Sequence, residues 1–240
     1  MILVKNPVIA LAGNPNTGKS TIFNALTGLK QHTGNWPGKT VLKAEGKFNY
    51  KGTTYTLIDL PGTYSLLANS LDEQIARDFI CFESPDVTII VADATCLERN
   101  LNLVLQVMEI TSNAIVCLNL IDEAKRKKLE VNVEGLSLEL GIPVVATSAR
   151  NGEGIPELLE ILHDVVNGKI VPQPRQVVYS KYIEDYISKL QPQLDKRLYG
   201  RLNSRWVALR IMEGNPKIIE AIQQYLGHSI QLPTLKEVIV

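Results

Sequence analysis

The chain is predicted to fold as an α/β domain, with a six-stranded, mainly parallel sheet flanked by helices, followed by a small all-α domain. Three observations predict it. Short β-branched runs alternate with segments of helical spacing from residue 7 to residue 168, the pattern of strands joined by helical crossovers. Two of these runs are separated by Lys51-Gly52 alone, too short for a parallel crossover, so one edge strand runs antiparallel to the rest. Beyond residue 175 the strand signal fades and apolar residues recur at helical spacing.

The first strand is expected over Val8 to Ala12, with a helix over 19 to 27 that Gly28 stops. Ala44 to Tyr50 and Thr53 to Asp59 form the hairpin. A helix over 71 to 83, which Asp72 and Glu73 are expected to cap, the alternative being that they order catalytic waters, leads into a strand over Val87 to Asp93. There follow a helix over 98 to 111, a strand over Ala114 to Asn119, a helix over 132 to 140 stopped by Gly141, a strand over Pro143 to Ala146 and a helix over 155 to 167. In Gly168-Lys169-Ile170-Val171-Pro172-Gln173-Pro174 two prolines disfavour helix, which sets the domains at 1–168 and 169–240. In the second, Tyr182, Tyr186 and Leu190, then Trp206 and Leu209, then Ile218, Ile222 and Leu226 mark helices, and Ser204 and Gly214 bracket one of them as cap and stop.

Composition excludes several classes. With 45% hydrophobic and 21% charged residues the chain is neither disordered nor fibrous. The longest apolar runs, Val87 to Ala92 and Ala114 to Leu118, are strand-sized, well short of the roughly 20 residues that cross a bilayer. The opening residues have no signal-peptide pattern, which reads as cytosolic. Cys81, Cys96 and Cys117 cannot all pair and lack metal-ligand spacing, so each is expected to be a small buried side chain in a reducing compartment. A net charge of zero gives no support for broad nucleic-acid binding, although residues 1–168 carry net −5 and residues 169–240 net +5.

After the first strand stands Gly13-Asn14-Pro15-Asn16-Thr17-Gly18-Lys19-Ser20, a phosphate-binding loop in its strand-loop-helix setting. Glycines let main-chain amides turn inward on phosphate oxygens, and the helix N-terminus adds positive charge. Lys19 reaches the β- and γ-phosphates and the Ser20 hydroxyl ligates magnesium; Asn14, Asn16, Thr17 and Thr21 complete this set of binding candidates. Asp59-Leu60-Pro61-Gly62 ends the third strand, where Asp59 holds the magnesium through water and Gly62 offers an amide to the γ-phosphate. Asn119-Leu120-Ile121-Asp122 and Thr147-Ser148-Ala149-Arg150 end the fifth and sixth. A carboxylate at Asp122 accepts from two donors that guanine presents and adenine does not. Asn119 ties this loop to the phosphate loop, Ser148 lies beside it, and the Ala149 amide donates to the guanine carbonyl. Buried polar pairing of this kind discriminates by about 10⁴ or more. In this order the motifs select GTP over ATP and define a P-loop GTPase that turns GTP into GDP and phosphate.

The sequence resembles the translation-factor-like GTPases and, within them, the N-terminal cytosolic module of FeoB ferrous iron transporters. The general motifs are shared widely; His32-Thr33-Gly34-Asn35-Trp36-Pro37-Gly38-Lys39-Thr40-Val41 and Asp59-Leu60-Pro61-Gly62-Thr63-Tyr64-Ser65-Leu66 resemble FeoB in particular. The resemblance implies switch segments over 29–41 and 59 to about 73, with Thr40 on magnesium and the γ-phosphate. It also implies a membrane-embedded iron-transport region beside this module at the cytoplasmic face of a bacterial inner membrane. The chain stops before such a segment and reads as a soluble fragment; a homo-oligomer is left open. Leu120 stands where many relatives carry Lys, so tight retention of nucleotide is not expected. Thr63 stands where Ras-like enzymes carry the water-orienting Gln, which implies slow turnover, about 10⁻⁴ to 10⁻³ per second. Similarity to potassium-activated members of the class puts Asn16, with the main-chain carbonyls of Gly34 and Trp36, on a potassium ion beside the phosphates.

Other residues are less informative. His32 reads as solvated rather than as an iron ligand, and Trp36 as an exposed anchor or a lid over the nucleotide. A GTPase of ribosome or RNA assembly would share the motifs but needs a basic RNA-binding appendage, and a P-loop kinase needs an acceptor lid and no Asn-x-x-Asp.

Overall fold

The computed structural model describes residues 6–28, 31–67, 70–227 and Leu232. Residues 29, 30, 68 and 69 of the expected switch segments lie outside them. Two compact units are formed, Met1–Arg175 and Gln176–Val240.

The first unit is built on a seven-stranded sheet of order β2-β3-β4-β1-β5-β6-β7. Its strands are β1 (Val8–Gly13), β2 (Gln31–Asn35), β3 (Leu42–Tyr50), β4 (Thr53–Asp59), β5 (Val87–Asp93), β6 (Ala114–Asn119) and β7 (Val144–Ala146). The six expected strands are all present. The seventh, β2, pairs antiparallel with β3, with Thr33 opposite Ala44. As expected, β3 runs against its neighbour β4 and against the rest, but β2 displaces it from the edge. The cause is tertiary: Gln-His-Thr-Gly-Asn has no apolar alternation, and β3 supplies the ladder that makes it a strand.

Helices α1 (Lys19–Thr27), α2 (Leu71–Asp78), α3 (Leu97–Ile110), α4 (Ile121–Arg126), α5 (Val133–Leu140) and α6 (Ile155–Val166) cover the sheet. Because side chains alternate along a strand, one face buries Ala10, Ile58, Ile90 and Val116 beneath α2, α3 and α5. The other buries Ile9, Leu57, Ile89 and Ile115 beneath α1 and α6. Gly28 and Gly141 end α1 and α5 in left-handed conformations, as expected. The expected helix over 71–83 holds only to Asp78 and continues as a π-helical turn, Phe79–Glu83. Its N-cap is Ser70, whose hydroxyl accepts from the Glu73 amide, and not Asp72 or Glu73, which lie further on in the first turn. Helix α4 has no counterpart among the expected helices.

The expected domain boundary at residue 168 and the observed division differ by the segment 169–175. It pairs back onto the end of α5, with the Gln173 amide 2.9 Å from the Gly141 carbonyl and the Arg175 amide 2.9 Å from that of Leu140.

The second unit contains α7 (Lys181–Leu198), α8 (Ser204–Glu213) and α9 (Pro216–Leu226). Tyr186, Leu190, Trp206, Leu209, Ile218, Ile222 and Leu226 are buried as the spacing predicts, whereas Tyr182 is exposed. Asn203, not Ser204, caps α8 by accepting from the Trp206 amide; Gly214 ends it. Arg205 fastens α8 to α7, its guanidinium donating to both oxygens of Glu184 at 2.8 and 2.9 Å and to the Val177 carbonyl. Among the described residues, no helix is long and apolar enough to cross a membrane.

Candidate nucleotide site

The site is assembled where β1, β4, β5, β6 and β7 end. The chain leaves β1 at Gly13, where a Cβ would lie 2.7 Å from the Val91 carbonyl oxygen, so the residue's bareness sets how closely β1 and β5 approach. Asn16 and Gly18 then take left-handed conformations (φ 67° and 82°), which Asn tolerates and Gly prefers. Thr17 is buried and its hydroxyl donates to the Asn14 carbonyl at 2.9 Å. Gly18 caps α1, so the free amides of that helix face the loop it closes. Ser20 and Thr21 are exposed on its first turn.

Asn119 pins three segments together. Its Nδ2 donates to the Thr17 carbonyl at 3.0 Å, while its Oδ1 accepts from the Ala149 amide at 3.1 Å and the Thr147 hydroxyl at 3.2 Å. A Cβ on Gly18 would collide with that same Nδ2. The expected tie between the phosphate loop and the Asn-Leu-Ile-Asp loop is therefore formed. The Ala149 amide, expected on the guanine carbonyl, is engaged by Asn119 here. Thr147, quoted in its motif without a role, is a wholly buried part of the pin and also contacts Cys117 Sγ at 3.2 Å.

Lys19 Nζ forms a short ion pair with Asp59 and donates to the Leu60 carbonyl at 2.7 Å. The phosphate-loop lysine and the candidate magnesium carboxylate thus neutralise each other. Burial pushes the Asp59 carboxyl up, and Lys19 opposes that rise. Gly62 packs beside the loop, its Cβ position 3.5 Å from Pro15. The Thr63 hydroxyl donates to the Ser65 carbonyl at 2.7 Å, turned into its own loop.

Asp122 is half-buried in the first turn of α4. Leu120, the cap of α4, is left-handed with φ 63°, a strained geometry for a non-glycine residue. The Ile121 amide donates to the Thr147 carbonyl at 3.1 Å, which draws Asp122 toward the Thr147-Ser148-Ala149 loop. Ser148 is buried and its hydroxyl accepts from Asn151 Nδ2 at 2.9 Å. Asn14 is 2% exposed, and neither polar atom of its carboxamide has a hydrogen-bond partner among the described residues.

The first expected switch segment is less assembled. Gly34 pairs with Lys43 in the edge strand, three strands from β1 and so on the order of 14 Å away. The Trp36 carbonyl accepts from the Lys39 amide at 2.9 Å. Thr40 is exposed in the β2–β3 connection. Trp36 is neither an exposed anchor nor a lid: it is 8% exposed and stands edge-on to Phe79, ring centroids 5.5 Å apart. His32 is exposed, and among the described residues no group of three or more His, Cys, Asp or Glu could hold a metal. Cys81 and Cys117 are buried as expected; Cys96 is exposed at the cap of α3.

Residues 7–162 match the family model of ferrous iron transport protein B, and residues 179–239 match that of the FeoB cytosolic helical domain. The Fe(2+) transporter FeoB of Methanocaldococcus jannaschii is 46% identical over 219 residues, which cover 91% of this chain and 32% of that protein. The chain thus spans about a third of that relative's length. The cytosolic domain of the T. maritima FeoB iron transporter in a GDP form superposes with TM-score 0.81 at 39% identity, covering 98% of this chain and 91% of that one. Its GMPPNP form gives 0.79 at 39% identity over 97% and 90%.

Proposed function

Because this chain belongs to the FeoB family of ferrous iron transport proteins, we propose that it is a GTP-binding and GTP-hydrolysing module that regulates or powers ferrous iron passage through an attached membrane region. In that setting it works at the cytoplasmic face of a bacterial inner membrane. The observation that carries the reading is the joining of three motifs through Asn119, beside a phosphate loop whose lysine already meets Asp59.

The residues divide the work. Loop amides from Asn16 to Ser20 and the N-terminus of α1 neutralise phosphate charge. Lys19 exchanges Asp59 for the β- and γ-phosphates. Ser20, Thr40 and, through water, Asp59 are hard oxygen donors of the kind magnesium takes; they would hold a magnesium ion, which would supply electrophilic charge to those phosphates. Asp122 and the Ser148-Ala149 loop read the guanine edge, with the Ala149 amide passing from Asn119 to the guanine carbonyl. The Gly62 amide meets the γ-phosphate. Thr63 orients no water while its hydroxyl serves Ser65, so intrinsic turnover is slow. Asn16, exposed in the loop, suits a large, weakly hydrated cation; with the Gly34 and Trp36 carbonyls it would hold potassium, which would add positive charge where negative charge develops. Those two carbonyls reach it only after the β2 segment moves from the sheet edge.

Turnover of GTP and ATP in matched potassium and sodium chloride tests the reading. GTP hydrolysis stimulated by potassium, lost in Lys19→Ala and unstimulated in Asn16→Ala, is the expected result. Hydrolysis retained in Lys19→Ala overturns the phosphate-loop assignment, and no stimulation in the parent removes the potassium step.

A further inference from the structure

Arg99, Asn102 and Gln106 follow one another on α3 at spacings of three and four, so they share a face. All three reach the segment that follows Gly62. The Leu66 amide donates to Gln106 Oε1 at 2.6 Å and the Ser65 hydroxyl to the same oxygen at 3.3 Å. Asn102 Nδ2 donates to the Tyr64 carbonyl at 3.2 Å, and Gln106 Nε2 donates to Asn102 Oδ1 at 3.4 Å. The Arg99 guanidinium lies 4.2 Å from the centroid of the Tyr64 ring. Leu66 is buried in the core under α3. Three consecutive residues are thus held by three side chains of one helix.

The same conformation turns the reactive groups away from a phosphate. Lys19 is spent on Asp59 and the Leu60 carbonyl, and the Thr63 hydroxyl on Ser65. For Lys19 to reach a phosphate it must leave Asp59 and the Leu60 carbonyl, which releases its hold on the start of this segment, while the Thr63 amide is itself held on the Gly13 carbonyl at 3.2 Å. Only Thr63 separates Gly62 from the held segment, so any shift of Gly62 pulls directly on residues 64–66.

We propose that Gln106, with Asn102 and Arg99, is a clamp that restrains residues 64–66 in this resting arrangement, so that a nucleoside triphosphate closes the site against it. Gln106 is a positioning residue: it acts through the Leu66 and Ser65 backbone and side chain and contributes nothing to holding diphosphate. The proposal rests on the GTPase reading above. It follows that loosening the clamp shifts the population toward the closed, reactive arrangement.

The test uses the whole chain with two substitutions. Gln106→Met keeps the length of the side chain and removes the acceptor; Gln106→Glu keeps the acceptor. Single-turnover hydrolysis at saturating GTP is expected to be about fivefold faster in Gln106→Met, the effect of one net hydrogen bond, with GDP affinity as in the parent. Gln106→Glu is expected to match the parent or fall below it. Hydrogen exchange at the Leu66 amide is expected to quicken in Gln106→Met and not in Gln106→Glu. A Gln106→Met rate at or below the parent's, or unchanged exchange at Leu66, overturns the clamp. Absence of GTP hydrolysis in the parent overturns the GTPase reading instead, and the exchange measurement then still judges the clamp.

Discussion

Replacing Asn119 by Ala removes the pin that joins the phosphate loop, the Asn-Leu-Ile-Asp loop and the Thr-Ser-Ala loop. Three hydrogen bonds go at once. The Thr147 hydroxyl keeps its Cys117 contact at 3.2 Å, so two groups are left without a partner, the Thr17 carbonyl and the Ala149 amide. Asn119 is 1% exposed, which keeps water from replacing it freely. At about 1–3 kcal/mol for each orphaned buried group, the expected loss is about 3 kcal/mol. With a urea slope of about 2–3 kcal/mol per molar, that lowers the unfolding midpoint of the first unit by about 1–1.5 M. Trp36 fluorescence in a Trp206→Phe background follows that unit alone, since each unit carries one of the two tryptophans. Thr147→Val, which removes a bond that the pin shares with Cys117, is expected to cost about 1 kcal/mol. GDP affinity should fall with Asn119→Ala, because phosphate and base loops lose their common fixture. A loss under about 1 kcal/mol, or one equal to that of Thr147→Val, would refute the reasoning.

Asp122→Asn is expected to weaken GDP binding severely and to favour xanthosine diphosphate, because an amide cannot accept from both guanine donors; calorimetric titration with both nucleotides checks it. Native protein should expose one thiol to an aromatic disulfide, Cys96, and three after denaturation. Burial pushes the Cys117 thiol up to about 12, and partial desolvation with the nearby Asp93 raises that of Cys96, so the Cys96 reaction should speed up as pH rises. In the second unit, hydrogen bonds from Arg205 and the Tyr179 amide hold Glu184 at about 2, below its usual 4.5. A depressed carboxylate stabilises the folded state above its unfolded pKa, so that contribution is full near neutrality and is lost as pH falls from about 4.5 towards 2. Since Glu184 retains solvent contact, Glu184→Gln is expected to cost about 1 kcal/mol at neutral pH, and less in acid, measured by urea unfolding followed through Trp206.

The sheet and the nucleotide motifs were legible because each is written locally. Gly13 to Ser20 carries its own turn chemistry, and β6 is buried at all six positions, so its apolar run announces it. Features that depend on distant partners were not legible. β2 has no pattern of its own and exists through β3. Trp36 is buried by Phe79, forty-three positions away in the sequence, and nothing near Trp36 signals that. Two residues able to cap α8 stand side by side, Asn203 and Ser204, and only the backbone decides between them. Helix α4 starts from a leucine in a left-handed conformation, which a propensity reading assigns to Gly or Asn. Within the site, the fixing role of Asn119 was foreseen, while its use of Thr147 and of the Ala149 amide required the packed loops.

The edge strand has a thermodynamic consequence. From His32 to Asn35 every side chain is exposed, and burial resumes only at Trp36. The four residues from His32 to Asn35, joined to β3 without an apolar face, gain little from burial, while freeing each returns about 1–2 kcal/mol of backbone entropy, nearly offsetting the hydrogen bonds given up to water. Such a strand behaves as a zip with an indole rivet at Trp36. Detaching the segment that carries Gly34 from β3 therefore costs little free energy, while Trp36 stays anchored on Phe79.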